Sequence, residues 1–512
     1  MTKKRSFILG LVVTLFVCLG IFFYYGEKKE IMFCDEVYTY TMANVHSVQL
    51  AVRDNKWYQA WEMDKRLCAV DGYNFKDVMI GAAWDISPPL YYTSFKAVAA
   101  TFPDSASKWL GFGTNLFFFV PFLVLLYVGL EKITKKPWLA LAGTILLGVN
   151  QGMQGVALLI RMYMMLILSM QIFFMLTGKL YKKHVKIWTY VGLVAVTFVG
   201  FMTHYYFAIY VALFSVFLML YKLLQKNWKQ AAAYLASMVA AVGISTAFFP
   251  AWIPQIFSSD KGSSSIDAMN NWSAIGEEVL EALEDVGEFI FTDKAWMYWL
   301  LLIIISVLFF TIKDSELIDV KKNCGFHLVT QMIYYCLVAH VMPSPEPRYY
   351  WSVVIIQCIT ALYMLAYGLK HYGMLEKKTV VGILLGITAI YTAFFLDRME
   401  DVPYHGADFK EGRLIMEGYE KTPWIIYGEK DWVLHSPAMD FLIPEQLMFI
   451  TDASTLGYDE VLQNNDEIVL YARSEEHLED TVDRLEEISG YEYSYQLLAE
   501  RSYNDAYLIM RE

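Results

Sequence analysis

Hydrophobic residues gather along this chain in long, nearly uninterrupted runs separated by short polar connections. A helix needs about twenty mostly apolar residues to cross a bilayer. Runs of that kind occupy residues 6–25, 109–130, 137–153, 156–178, 187–203, 205–222, 231–250, 296–312, 325–342, 350–369 and 379–396, which predicts eleven membrane-spanning helices. At about 1.5 Å per residue, 187–222 would be far too long for one crossing, so His204 marks a turn between two spans. The first run follows Lys3, Lys4 and Arg5 and lacks a small-residue cleavage site, which predicts a retained helix rather than a signal peptide.

The connections alternate in charge. EKITKK (131–136), KLYKKHVK (179–186), KLLQKNWK (222–229), KDSELIDVKK (313–322) and KHYGMLEKK (370–378), with the N-terminal KKR, hold 19 of the 41 Lys and Arg residues. The opposite short connections, around 154–155, 204 and 343–349, hold one arginine between them. Cytoplasmic loops carry the Lys/Arg excess. The expectation is therefore a multi-pass protein of the cell (plasma) membrane, with a cytoplasmic N-terminus and, after eleven spans, an extracytoplasmic C-terminus.

Three pieces fall outside. Loop 26–108 is long and carries two apolar-aromatic stretches. Loop 251–295 has a Ser/Gly hinge at 261–265, then an amphipathic run with Val279, Leu280, Leu283 and Val286 opposite Glu277, Glu278, Glu281, Glu284, Asp285 and Glu288. That spacing predicts a surface or interfacial helix with a solvated acidic face. Asn271-Trp272-Ser273 in the same loop has the form of a glycosylation sequon. The tail 397–512 alternates buried strands (424–428, 447–451, 467–472) with an amphipathic helix at 474–489 capped by Ser474, and ends in a hairpin through 502–505. The fold class expected is an all-α polytopic membrane protein, domain 1–396, bearing a small extracytoplasmic α/β domain at 397–512.

Composition agrees with the spans. Of 512 residues, 56% are hydrophobic and 18% charged, against about 25% charged in soluble domains; mean hydropathy is +0.36. A soluble enzyme is excluded. The net charge of −12 divides unevenly: residues 1–396 hold 32 basic and 26 acidic residues, and 397–512 hold 9 and 27. The membrane part is thus mildly basic and the tail acidic, with no basic face for nucleic acid. The six cysteines form no CxxC or Cys/His cluster, so no structural zinc site is expected. Cys34 and Cys68 share loop 26–108, and whether they pair is open. The tail has no GxGxxG or P-loop, so no nucleotide is implied.

Charged groups in or beside spans are functional candidates by default. Asp35 and Glu36 follow the first span in FCDEVYTY, and Asp85 lies in AAWDISPPLYY. Arg161 interrupts the apolar LLIRMYMML one to two turns inside the fourth span, His204 sits at the external turn, and Arg348 opens the tenth span. All six fall on one side of the membrane at about one depth. Two arginines can clamp a phosphate, and a carboxylate can take a proton from a hydroxyl nucleophile. Read singly, Arg348 is an interface arginine, the neighbouring tyrosines (Tyr91, Tyr92, Tyr163, Tyr205, Tyr206, Tyr349, Tyr350) are a belt, and His204 is a satisfied turn residue. Their convergence carries the functional reading.

These residues are also ordered as a motif set. CDEVYTY around Asp35-Glu36, DISPPLYY at 85–92, Arg161-Met162-Tyr163, Thr203-His204-Tyr205 and Pro347-Arg348-Tyr349 resemble the GT-C glycosyltransferase superfamily, in the branch of protein O-mannosyltransferases and lipid A aminoarabinose transferases, Gram-positive relatives included. The resemblance covers roughly the first 400 residues, and Ser87 stands where many relatives have histidine. It implies an inverting transfer of a monosaccharide from a polyprenyl-phosphate donor, such as an undecaprenyl phosphate sugar, to an extracytoplasmic glycan, lipid or protein. Asp35 would be the base. Arg161, Arg348 and His204, with Tyr163, Tyr205 and Tyr349, would hold the donor phosphate. Glu36 and Asp85 would orient the sugar or the base, and loop 251–295 would cover the site. No cofactor is expected; a divalent ion on Asp35, Glu36 and Asp85 is the less favoured option. The alternatives are a polysaccharide ligase or polymerase using a pyrophosphate-linked donor, a transporter or flippase of lipid-linked sugars, and a catalytically dead binding protein.

Overall fold

The computed structural model describes residues 3–29, 32–44, 52–259, 275–292, 294–342, 346–396, 402–404, 410–428, 440–500 and 504–512, with single positions 264, 268 and 273. Six helices are long and apolar enough to cross a bilayer: Lys3–Glu27, Lys108–Thr134, Tyr206–Leu224, Trp228–Phe248, Ser315–Val341 and Arg348–His371. Three shorter apolar helices, Pro137–Gly148, Ile187–Phe201 and Lys378–Phe394, join them, as do two helix pairs sharply bent at a short break. Each of the eleven apolar runs falls on one of these elements. The division at His204 is observed, since helices end at Phe201 and restart at Tyr206.

One span departs from expectation. The run 156–178 is not a continuous helix: Gln151–Leu158 and Tyr163–Thr177 meet at 118°. Unwound backbone at membrane depth survives only where the protein itself satisfies its polar groups. Here it does so with remote side chains. Asn115 donates to the carbonyls of Ala157 (2.9 Å) and Leu159 (2.7 Å), and Lys29 to that of Leu158 (3.1 Å). Thr39 donates to the Ile160 carbonyl (2.8 Å), and the Ile160 amide donates to Glu36 (2.7 Å).

The loop 26–108 folds into the short helices Cys34–Asn44, Ala60–Leu67, Phe75–Trp84 and Leu90–Ala99 and, among the described residues, one strand, β1 (Trp57–Gln59). Cys34 and Cys68 are both buried free thiols, which closes the pairing question. Burial pushes the Cys34 thiol up to about 12, so it stays protonated. In the loop 251–295, Ile275–Phe291 is helical with Ala282, Val286, Phe289 and Ile290 buried. Leu280, expected on the apolar side, is 69% exposed, because the face that packs is shifted toward Phe289, whose ring stacks on Trp351 at 5.1 Å. Most of the hinge 261–265 and of Asn271-Trp272-Ser273 lies outside the described residues.

In the tail, β2 (Trp424–Tyr427), β3 (Gln446–Ile450), β4 (Glu467–Ala472), β5 (Tyr493–Ala499) and β6 (Asp505–Arg511) match the expected strands. Ser474 caps the helix Glu475–Ser489 through the His477 amide at 3.3 Å. The hairpin β5–β6 is antiparallel, and its turn 501–503 lies outside the described residues. The sheet order is β1-β3-β2-β4-β6-β5, with β2 parallel to β3 and β4. Its edge strand β1 therefore comes from the loop 26–108, antiparallel to β3, and Trp57 donates its indole N–H to Asp459 at 2.6 Å. Alternation along the strands splits the two faces. Ile425, Met448, Ile468 and Leu470 pack under Leu478, Val482 and Leu485. Trp424, Ile426, Phe449 and Tyr471 share one core with Met63, Leu67 and the membrane helices. The division at residue 396 thus marks a change of composition, while strand pairing and packing run across it.

Candidate active site

The broken helix places Arg161. Residues 159–162 sit between the two helical halves, and the Arg161 amide turns back onto the Leu159 carbonyl at 2.7 Å. Its guanidinium leaves the helix wall, donating from one terminal nitrogen to the Asp35 carbonyl (3.1 Å) and the Tyr92 hydroxyl (3.0 Å). Arg161 is therefore at a break, not in the continuous span that its apolar neighbours suggested. Arg348 opens the helix Arg348–His371 and approaches from the other side. It pairs with Asp35 at 3.0 Å and Glu346 at 3.2 Å, and donates to the Tyr404 hydroxyl at 3.4 Å. Asp35 thus lies between two arginines, 3.9 Å from the Nε of Arg161.

Both arginines are about nine-tenths buried, and among the described residues the Nε of each is enclosed without a hydrogen-bond acceptor. A buried donor left unpaired costs about 1–3 kcal/mol, more for a charged group. The Asp35 side chain, 17% exposed, keeps one side open. Two buried arginines thus meet two partly exposed carboxylates, Asp35 and Glu346, and retain donor capacity for an anion's oxygens.

Glu36 has another fate. It is fully buried, and both oxygens are used: Lys29 Nζ lies 2.7 and 2.8 Å away, with the Ile160 and Phe33 amides at 2.7 and 2.8 Å. It has no lone pair to offer a sugar hydroxyl or a metal. Of the two roles expected for it, orienting the base remains: it ties the first turn of Asp35's helix to the residue preceding Arg161. Asp85 closes the helix Phe75–Trp84 beside Tyr92, whose hydroxyl also meets Ser87. Asp35, Glu36 and Asp85 do not gather as a ligand trio, and among the described residues no group of three His, Cys, Asp or Glu side chains could hold a metal.

His204 stands in the wall, its Nδ1 accepting the Tyr206 amide at 3.2 Å and its ring 5.9 Å from Tyr163 and 6.0 Å from Tyr349. Burial, then the charges of Arg161 and Arg348, push its imidazole down to about 3, so it is neutral at physiological pH. Tyr349 lies 5.8 Å from the Arg348 guanidinium, a cation–π distance. Tyr205 is diverted: its hydroxyl goes to Gln255, which in turn holds the carbonyls of Ala82 (2.6 Å) and Asp85. It buttresses the wall instead of facing the donor.

Several participants escaped the sequence reading. Tyr91 and Tyr92 are fully buried, not belt residues: Tyr91 donates to Asn115 (2.9 Å), which holds the break open, and Tyr92 accepts from Arg161. Lys29, Asn115 and Tyr404 carried no motif. A lysine close behind a span reads as a topology signal, and nothing local marks its pairing with Glu36.

No protein-family model matches the chain, and no curated protein matches it significantly. Solved structures do. ArnT from Cupriavidus metallidurans bound to undecaprenyl phosphate aligns with TM-score 0.50 and 10% identity over 97% of both chains; its apo state gives 0.49. The archaeal oligosaccharyltransferase AglB from Archaeoglobus fulgidus, in complex with an inhibitory peptide and a dolichol-phosphate, gives 0.43 and 8% identity, over 92% of this chain and 69% of that one. The first of these shows the fold: the chain shares with ArnT an architecture of many apolar helices followed by a small C-terminal domain.

Proposed function

We infer that the chain is a membrane glycosyltransferase that moves a monosaccharide, with inversion, from a polyprenyl-phosphate donor to an extracytoplasmic hydroxyl. One observation carries this: two buried arginines from distant segments converge on Asp35, and among the described residues the Nε of each has no hydrogen-bond acceptor. The donor phosphate supplies the missing oxygens. As it takes up Arg348, an oxygen of Asp35 is released to accept the acceptor's proton. The acceptor oxygen then attacks the anomeric carbon, and the sugar–phosphate C–O bond breaks. Its electron pair leaves on the polyprenyl phosphate, whose growing charge the arginines stabilise. Inversion requires base and phosphate to lie on opposite faces of the sugar. His204, neutral, offers a hydrogen bond without adding charge.

We assign the lipid tail to an apolar groove. This groove of about 390 Å³ runs between the helices Lys108–Thr134, Tyr163–Thr177 and Ile187–Phe201, lined by Phe118, Met165, Leu168, Ile172, Leu176 and Val199. Met165 lies in the first turn of the helix Tyr163–Thr177, which follows the break carrying Arg161. The ArnT structure that shares the fold holds undecaprenyl phosphate, which supports a lipid phosphate donor here. A cytoplasmic N-terminus and an outer site complete the reading.

The test is incubation of the purified protein with radiolabelled polyprenyl-phosphate sugars and an acceptor panel, beside Asp35→Asn. Release of polyprenyl phosphate by the wild type and none by the variant is the expected result. Full activity in Asp35→Asn would remove the base assignment. Translocation across vesicles without donor cleavage would favour the flippase, the alternative to which the broken helix lends weight.

A further inference from the structure

Tyr404 belongs to the acidic C-terminal part by sequence, yet it reaches the arginines. Val402 is buried, and Pro403 packs on Gly155 of the broken helix so tightly that a Cβ there would meet the proline ring at 2.7 Å. Tyr404 itself has φ 57°, a left-handed conformation that a bulky residue adopts only under constraint, and such strain gathers at functional sites. Its ring lies 4.5 Å from Phe33 and 5.6 Å from Trp351, and its oxygen accepts from Arg348 at 3.4 Å. Burial pushes this hydroxyl up to about 12, against the pull of Arg348, so it keeps its proton. Among the described residues that proton has no acceptor.

We propose that Tyr404 is a third ligand of the donor phosphate, delivered to the two-arginine clamp by the strap 402–404 seated on Gly155. The inference rests on the proposed donor and adds what the arginines lack: a neutral hydroxyl donor on the outer side of the phosphate. It also gives the C-terminal part a task at the site. The phosphate cradle is complete only with the strap in place, so anything that lifts the strap weakens the donor's hold. A phosphate oxygen accepts the Tyr404 proton while Arg348 holds the phenol oxygen, so the two donors act in series.

The experiment is a binding titration of the full-length protein in detergent with undecaprenyl phosphate, and in parallel with undecaprenol, which lacks the charge. Tyr404→Phe keeps the ring contacts and removes only the hydroxyl; about tenfold weaker binding of the phosphate, with undecaprenol unchanged, is expected. Gly155→Val, which displaces Pro403 without touching Tyr404, should weaken phosphate binding to a similar degree. Arg348→Ala separates the two levels of the argument. If it abolishes phosphate binding while Tyr404→Phe binds like wild type, the Tyr404 assignment is overturned and the donor reading stands. If the wild type itself prefers undecaprenol or binds neither, both fail together. Equal losses for phosphate and alcohol in Tyr404→Phe would mark a packing role and also overturn the assignment.

Discussion

Replacing Lys29 by Met tests how the fold builds the site. Lys29 and Glu36 form an ion pair in which both side chains are essentially inaccessible, and the pair holds the Leu158 carbonyl and the Ile160 amide at the break. Removing one partner of a buried pair is strongly destabilising, about 3–5 kcal/mol, because the other charge is left uncompensated. If the local structure bears that loss, the break repacks and Arg161 leaves Asp35. At 1.4 kcal/mol per factor of ten, the competent arrangement falls by roughly two orders of magnitude or more. Donor turnover should drop accordingly. Removing the carboxylate as well relieves the uncompensated charge, so Lys29→Met/Glu36→Gln should turn over faster than Lys29→Met alone. The assay is a double-mutant cycle on turnover, with thermal unfolding in parallel. A coupling of about 1–3 kcal/mol is expected for groups in direct contact. Singles that add to within about 0.5 kcal/mol would refute the view that this pair holds the arginine turn.

Arg161→Lys and Arg348→Lys keep the charge but lose the fork that reaches two oxygens at once, so each should weaken undecaprenyl phosphate binding in a filter or fluorescence titration by about tenfold or more. Gly111 faces Ile160 side-on at the break, with no room for a Cβ; Gly111→Val should cost about 1–3 kcal/mol by overpacking and reduce turnover together with thermal stability. For His204 the folded value lies near 3 and the unfolded value near 6.5. The unfolded chain therefore binds one more proton between these limits, and its contribution to stability is whole above about pH 6.5 and declines as pH falls toward 3. The slope is at most about 1.4 kcal/mol per pH unit, less where water enters the cleft. His204→Gln should flatten the acid side of the stability profile, and leave the shape of the activity profile between pH 5 and 8 unchanged. A neutral-to-charged step of His204 seen in that range would contradict the enclosure described.

What the sequence determined by itself was everything whose physical cause is local. Long apolar runs are visible whatever surrounds them, so the apolar helices, the turn at His204 and the Ser474 cap were legible, as were β2 to β4 from their short apolar runs and β5–β6 from the hairpin signal. Asp35, Arg161 and Arg348 were legible as candidates for the same reason: a charge among apolar neighbours at the membrane surface needs a partner or a ligand. The tertiary structure alone decided what each charge does. Nothing in LLIRMYMML opposes a helix; the break exists because Asn115, Lys29, Thr39 and Glu36 arrive from elsewhere to satisfy the released backbone. Glu36 and Asp35 are adjacent in sequence, yet successive side chains on a helix point about 100° apart. One therefore faces the buried lysine and the other the cleft. The three residues of β1 have too little periodicity to announce a strand and gain their pairing only from β3. Tyr404 reaches Arg348 from 56 residues away in the chain, a contact set by where the strap docks and by no pattern around it.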